Sequence, residues 1–202
     1  MKKLRSLVRL IINQFKSDEA IRDRLNNIQL TNGKVVGKEN LKINGVIKID
    51  NKGKLSFGTN CTINSGNEYN PVGMGHETQF YLSHNAEVII GNNVGISNSL
   101  FFSQQKIQVE DDVMFGGGCQ IFDTDFHSIQ YSNRILNGDN HIKTKPVLIK
   151  KGAFVGCNSI VLKGVTIGEM SVIGAGSVVR NDIPANEIWA GNPAVFISKI
   201  NN

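Results

Sequence analysis

The sequence predicts an all-β fold of stacked short coils, and three observations carry that reading. Isoleucine or valine recurs every six residues at Ile149, Val155, Val161, Ile167, Ile173 and Val179. The fifth residue of each hexad is small or aliphatic: Ala153, Ser159, Val165, Ser171, Ser177 and Ile183. The composition combines 21 glycines with only 7% aromatic residues, which suits a turn-rich solenoid. A period of six would scatter these residues around a helix axis, and it lacks the polar alternation of an isolated strand. It is instead the mark of stacked repeats. Six residues supply one short extended run and one corner. Three hexads then make a triangular coil of roughly 18 residues, stacked about 4.8 Å from the next. Gly156, Gly168 and Gly174 follow the aliphatic residue, where a larger side chain would crowd the backbone.

The N-terminal region, residues 1–30, reads differently. Leu4, Leu7, Val8, Ile11, Ile12 and Phe15 follow helical spacing and predict an amphipathic helix over residues 2–16. Ser17 is placed to cap a second short helix, with Asp18 and Glu19 in its first turn. Two roles fit this segment: covering one end of the solenoid, or attachment to an anionic membrane surface. Residues 31–202 form one β domain. Its early coils are degenerate, with Ile43, Ile49 and Leu55 six apart and a shifted frame through FGTNCT. Residues 64–79 leave the regular path, and Leu82 and Val88 rejoin it. Val109, Phe115 and Ile121 then restore the period.

The formal net charge of +5 belongs to one end of the chain. Lys2, Lys3, Arg5, Arg9 and Lys16 are five of 22 basic residues, and the remaining 17 balance 17 acids. A neutral body argues against nucleic acid as a partner. No run of 18 apolar residues predicts a membrane-crossing helix, and the N-terminus lacks the features of a secretory signal. Three cysteines, Cys61, Cys119 and Cys157, argue against a disulfide framework and fit a reduced cytoplasm, at the inner face of the cell membrane if residues 2–16 attach there. No Cys-x-x-Cys pair suggests zinc, and no metal site is expected.

The repeat stops at Asp125, which occupies a fifth position where a small inward residue belongs. His127 follows, and the pattern is silent until Val147. An excursion over residues 127–146 in a compact repeat points to function. A neutral imidazole can accept a proton from a hydroxyl as that oxygen attacks a thioester. Its second nitrogen then needs an acceptor: Asp123, Asp125 or a backbone carbonyl. No Gly-x-Ser-x-Gly nucleophile motif competes, so direct one-step transfer is favoured.

The segments GVTIG, VIGAGSVV, DIP and WAGNPA resemble the hexapeptide-repeat acyltransferases, densely from Val88 to Ile200. The resemblance implies a left-handed parallel β-helix of triangular section with a short C-terminal cap. It also implies acetyl-CoA as cosubstrate, His127 as general base, and a homotrimer with its sites between subunits. Carried over by position, Cys157 and Ala175 line the pantetheine arm, Arg180 and Lys199 are candidates for phosphate contacts, and Asn98 for acceptor binding. Relatives place arginines after the Gly-Asn-Pro turn, where this chain has Ala194 to Lys199. The Asp-Thr-Asp-Phe-His segment with its long excursion is most similar to the branch that O-acetylates sugars of bacterial surface polysaccharides. The alternatives are N-acetylation of a nucleotide-linked amino sugar, a zinc carbonic anhydrase (which needs three histidine ligands) and a non-catalytic assembly solenoid.

Overall fold

The computed structural model describes residues 18–73, 75–135, 139 and 141–201. The amphipathic segment 2–16 and Ser17 lie outside the described residues. Helix α1 (residues 18–32) leads into the β domain. Its Asn26 is buried, donating to Gly45 O at 2.9 Å and accepting from Ile47 N at 3.1 Å. These bonds tie the helix to the first coil. The helix runs two residues past the boundary expected at residue 30.

The chain then winds through three sheets in strict rotation. The first coil is β1 (Leu41–Gly45), β2 (Lys48–Asn51) and β3 (Lys54–Phe57), and the second is β4 (Cys61–Ser65), β5 (Gln79–Leu82) and β6 (Glu87–Ile90). The third is β7 (Gly95–Ser97), β8 (Leu100–Ser103) and β9 (Lys106–Val109), and the fourth β10 (Met114–Phe115), β11 (Gln120–Phe122) and β12 (Val147–Ile149). The fifth is β13 (Phe154–Val155), β14 (Ile160–Val161) and β15 (Thr166–Ile167). The sixth has β16 (Val172–Ile173), β17 (Val178–Val179) and a single parallel bridge from Ile183 to Ile167. First strands of each coil pair in parallel in one sheet, second strands in another, third strands in a third. The arrangement is that of a β-helix. β18 (Glu187–Ala190) adds to the first sheet in parallel, and β19 (Val195–Lys199) folds back on it antiparallel.

The six-residue period becomes three stacks. Ile149 pairs with Ile167, Val155 with Ile173, and Val161 with Val179, each 18 residues on. All six are fully buried. Stacking like on like fills the interior with branched side chains in one rotameric environment per column, the packing that β-branched residues favour. The second sheet extends its column upward through Ile121, Phe101 and Phe80. Phe80 and Phe101 stack at 5.1 Å. The fifth position of the hexad faces the interior near a corner, as expected. Ser159 and Ser171 are buried there and donate to Gly174 O and Pro184 O. Cys61 and Cys119 take the same place and donate to Gly91 O and Gly156 O.

The fourth position of the hexad carries a requirement that spacing alone does not reveal. Gly152, Asn158, Gly164, Met170 and Gly176 all have left-handed backbone, with φ between 57° and 79°. Glycine and asparagine tolerate that conformation; Met170 does not favour it. Asn60, Asn93 and Asp112 stack at one such corner, each asparagine donating to the next acceptor at 2.9–3.0 Å. At Gly156 the reason for glycine is proximity: a Cβ would lie 2.6 Å from Ile173 O of the next coil.

Two excursions leave the coil, residues 66–78 between β4 and β5, and residues 123–146 between β11 and β12. Among the described residues no helix is long and apolar enough to cross a membrane.

Candidate active site

The longer excursion starts from a neck. Asp125 N donates to Lys143 O at 3.0 Å, Lys145 N donates to Asp123 O at 2.9 Å, and Thr124 bridges Thr144 antiparallel. The departing and returning strands are therefore stitched together before the loop opens. Asp123 is fully buried and belongs to the coil. Its oxygens accept from Ser103 Oγ at 2.7 Å, Gln104 N at 2.8 Å and Gln105 N at 2.9 Å. Those three donors satisfy polar oxygens that would otherwise be costly to bury.

Asp125 faces the following coil. Lys163 Nζ lies 3.0 Å from its Oδ1, while its Oδ2 is buried without a hydrogen-bond partner. Phe126 follows with φ 63°, a strained conformation for an aromatic residue. Its ring holds that strain in place by packing on Phe102 at 4.8 Å and Phe122 at 5.0 Å. The consequence is that His127 turns outward, its side chain 75% exposed.

His127 is anchored twice. Its amide donates to Asp125 O at 2.7 Å, and its Nδ1 lies 2.9 Å from Asp139 Oδ2. The other Asp139 oxygen accepts from Ser128 N at 3.0 Å. Burial works against the ionised Asp139, but the Ser128 amide, the His127 ring and the nearby Arg134 outweigh it and hold the carboxyl below the usual range. An ionised carboxylate only accepts, so Nδ1 is the donor of this pair, and in the neutral ring that leaves the lone pair on Nε2. The carboxylate beside the ring is thus Asp139, and neither Asp123 nor Asp125 makes a side-chain bond to it. Both are committed elsewhere, one to loop amides and one to Lys163. Asp139 was not legible in the sequence because it lies in the aperiodic Asn-Gly-Asp-Asn stretch, twelve positions from the histidine.

Beyond His127, the short helix α2 (Tyr131–Ile135) closes the loop, with Arg134 donating to Ser128 O and Ile129 O. Ser128, Gln130, Asn133, His141 and Lys143 line a cavity of ≈ 510 Å³ beside it. His141, which no motif singled out, therefore lines the same cavity as Ser128, the residue after His127.

Asn98 organises the shorter excursion. It is buried with φ 44°, donates to Asn70 O and Val72 O, and accepts from Gly66 N. Both amide hydrogens are engaged by the 66–78 excursion, and the residue lines a cavity of ≈ 260 Å³ with His76, Glu77 and Gln120. Cys157 and Ala175 occupy the same corner one coil apart, between the first and second sheets, joined by Gly176 N donating to Cys157 O at 2.7 Å. Ala175 and Arg180 are exposed, as is Lys199 on β19. His127 leaves the corner between the second and third sheets. A single chain therefore carries His127 and the Cys157–Ala175 corner on different edges. Among the described residues no three His, Cys, Asp or Glu side chains gather as a metal-ligand set.

Residues 146–181 match the bacterial transferase hexapeptide family, described as six repeats. The galactoside O-acetyltransferase of Escherichia coli is 32% identical over 127 residues, covering 62% of this chain and 61% of that protein. A hexapeptide-repeat acetyltransferase of Vibrio cholerae, solved with acetyl coenzyme A, is similar at 25% identity and a TM-score of 0.53 over 63% of this chain and 70% of that one. The N-acyltransferase AntD of Bacillus cereus, solved with dTDP and 3-hydroxybutyryl-CoA, shares the fold at a TM-score of 0.62 and 22% identity, over 89% and 88% of the two chains. The chain spans about half the length of the first curated relatives it matches.

Proposed function

We propose that this hexapeptide-repeat chain is an acetyl-CoA-dependent O-acetyltransferase acting on a sugar hydroxyl of a bacterial surface polysaccharide or its precursor. The observation that carries the reading is the His127–Asp139 pair, held outward by a strained Phe126 at the longer of the two breaks in the repeat. In this scheme His127 Nε2 takes the proton of the acceptor hydroxyl as its oxygen bonds to the thioester carbonyl carbon. Asp139 keeps the proton on Nδ1 and stabilises the imidazolium. Collapse of the tetrahedral intermediate breaks the C–S bond, and His127 returns its proton to the departing sulfur. The products are an acetyl ester and free coenzyme A. The relatives described as acetyltransferases, and the similar structure solved with acetyl coenzyme A, support the donor.

In the same reading the coil is left-handed and triangular, and the protein is a homotrimer. The separation of His127 from the Cys157–Ala175 corner supports this assembly, because a neighbouring copy would bring the two edges together. Cys157 and Ala175 would flank the pantetheine arm, with Arg180 and Lys199 as the cations near its phosphates. The decisive test is acetyl-CoA turnover over a panel of hydroxy- and amino-sugar acceptors. Wild type should acetylate a hydroxy sugar and His127→Ala should not. Transfer only to amines would replace the hydroxyl assignment with N-acetylation, and equal turnover by His127→Ala would remove the base.

A further inference from the structure

We propose that the outer face of the second sheet beside His127 is a carbohydrate-binding platform, seating a sugar residue adjacent to the one that is acetylated. The acceptor is then an oligosaccharide or polymer chain. This inference rests on the proposed function.

Asp50, Tyr81, Phe102 and Phe122 pair in register on four successive strands of that sheet. They alternate with the inward-facing Ile49, Phe80, Phe101 and Ile121, so they point outward. Tyr81 and Phe102 stack at 6.0 Å with 29° between their planes, and both are partly buried, with part of each side chain reaching solvent. Lys48 lies 5.5 Å from the Tyr81 ring centre. Around the rings, Asp50, Lys52, Ser83 and His84 rim a depression of ≈ 190 Å³. That is below the roughly 300–1,000 Å³ of enclosed small-molecule sites, so it can grip one face of a ring but not enclose a ligand.

This pairing of flat rings with a polar rim fits a pyranose. The negative face of an aromatic ring attracts the polarised C–H bonds on a sugar's apolar side. The sugar's peripheral hydroxyls need both donors and acceptors, and the rim supplies them: Asp50 accepts, Lys52 donates, and Ser83 and His84 do both. An apolar protein partner would leave Asp50 and Lys52 desolvated. The uncharged stripe suited to such a partner lies on the first sheet, where Met114, Phe154, Val172 and Ile188 pair in register. The platform also joins the candidate active site through contacting rings. Phe102 packs on Phe126, and His127 is the next residue.

The test measures retention of the full chain on immobilised bacterial mono-, di- and tetrasaccharides, for wild type, Tyr81→Ala, Tyr81→Phe and His127→Ala. Tyr81 is chosen because Phe102 also supports the catalytic loop. Longer glycans should be retained more strongly than their component monosaccharides. Tyr81→Ala should weaken that retention about 3- to 10-fold, while Tyr81→Phe preserves it. Sedimentation of both variants should match wild type. His127→Ala should lose transfer and keep retention. The platform is overturned if retention ignores chain length, if Tyr81→Ala leaves it unchanged, if free dTDP displaces the glycan, or if Tyr81→Ala breaks the protein into smaller species. Any of these with transfer still dependent on His127 removes the platform alone. Transfer by His127→Ala at the wild-type rate removes the proposed base and leaves the retention result standing.

Discussion

Asp139→Asn isolates what one carboxylate does for His127, because it removes a charge and almost no volume. In the wild type, Nδ1 and Oδ2 are 2.9 Å apart and the carboxylate can only accept. An asparagine can turn its amide toward the ring, where Nδ1 must then accept and the ring proton moves to Nε2. That tautomer has no lone pair for the acceptor hydroxyl. General-base catalysis as a whole contributes about 10²–10⁴-fold. His127 is 75% exposed, so water and ring rotation recover part of the loss. The expected fall in kcat is therefore about 10- to 100-fold. Release of free thiol, followed while acetyl-CoA and acceptor are varied in turn, separates the outcomes. kcat should fall with KM for acetyl-CoA unchanged, and Asp139→Glu should recover part of it. Ser128 N also donates to Asp139, so hydrogen exchange at that amide reports whether the loop has simply opened. Wild-type kcat in the asparagine variant, or a raised KM for acetyl-CoA with normal kcat, would refute the assignment.

The remaining predictions concern the scaffold and its charges. Ile167→Ala, at the centre of a fully buried column, should cost about 2–5 kcal/mol in denaturant unfolding. Lys163→Ala should cost at most about 1 kcal/mol, since the pair is partly exposed, yet lower kcat by loosening the neck that holds His127. Burial pushes the Cys119 thiol up to about 12, so it should resist thiol reagents at pH 8 until the protein unfolds. Asp139 has a lowered folded pKa, so its contribution is fully present above its unfolded value of about 3.9 and is lost as pH falls through the lower folded value. Denaturant midpoints of wild type and Asp139→Asn should therefore differ at neutral pH and converge only in strong acid.

The fold was legible where side chains repeat and illegible where only the backbone does. Ile149 and Ile167 announce their column by identity and spacing. The left-handed corners at Gly152, Asn158 and Met170 impose a backbone angle that several residue types satisfy, so no letter marks them. The site divides in the same way. His127 stood out because it follows a break in a counted pattern. Asp139 did not, because its pairing is set by how the excursion folds back. Asn98 sits in a recognisable position, but spacing does not show that three neighbouring backbone groups use its amide. Asp123 and Asp125 were expected to orient His127, and their side chains instead bind Ser103, Gln104 and Gln105 on one side of the neck and Lys163 on the other.

A long loop set into a regular coil has to be insulated from it, or the coil would fray where the chain leaves. Asp123 does this on one side by binding the Gln104 and Gln105 amides of the preceding coil, and Lys163 on the other by binding Asp125 from the following coil. Between them, the Thr124–Thr144 bridge lets β11 and β12 keep their registers as though the excursion were absent. Loop closure across such a neck adds little entropy with further length, so the excursion can vary without destabilising the coil. The strain at Phe126 is sustained by the same arrangement, because its ring packs on Phe102 and Phe122 of rigid strands. His127 is thus exposed and near the start of a long loop, yet it is positioned by the most regular part of the molecule.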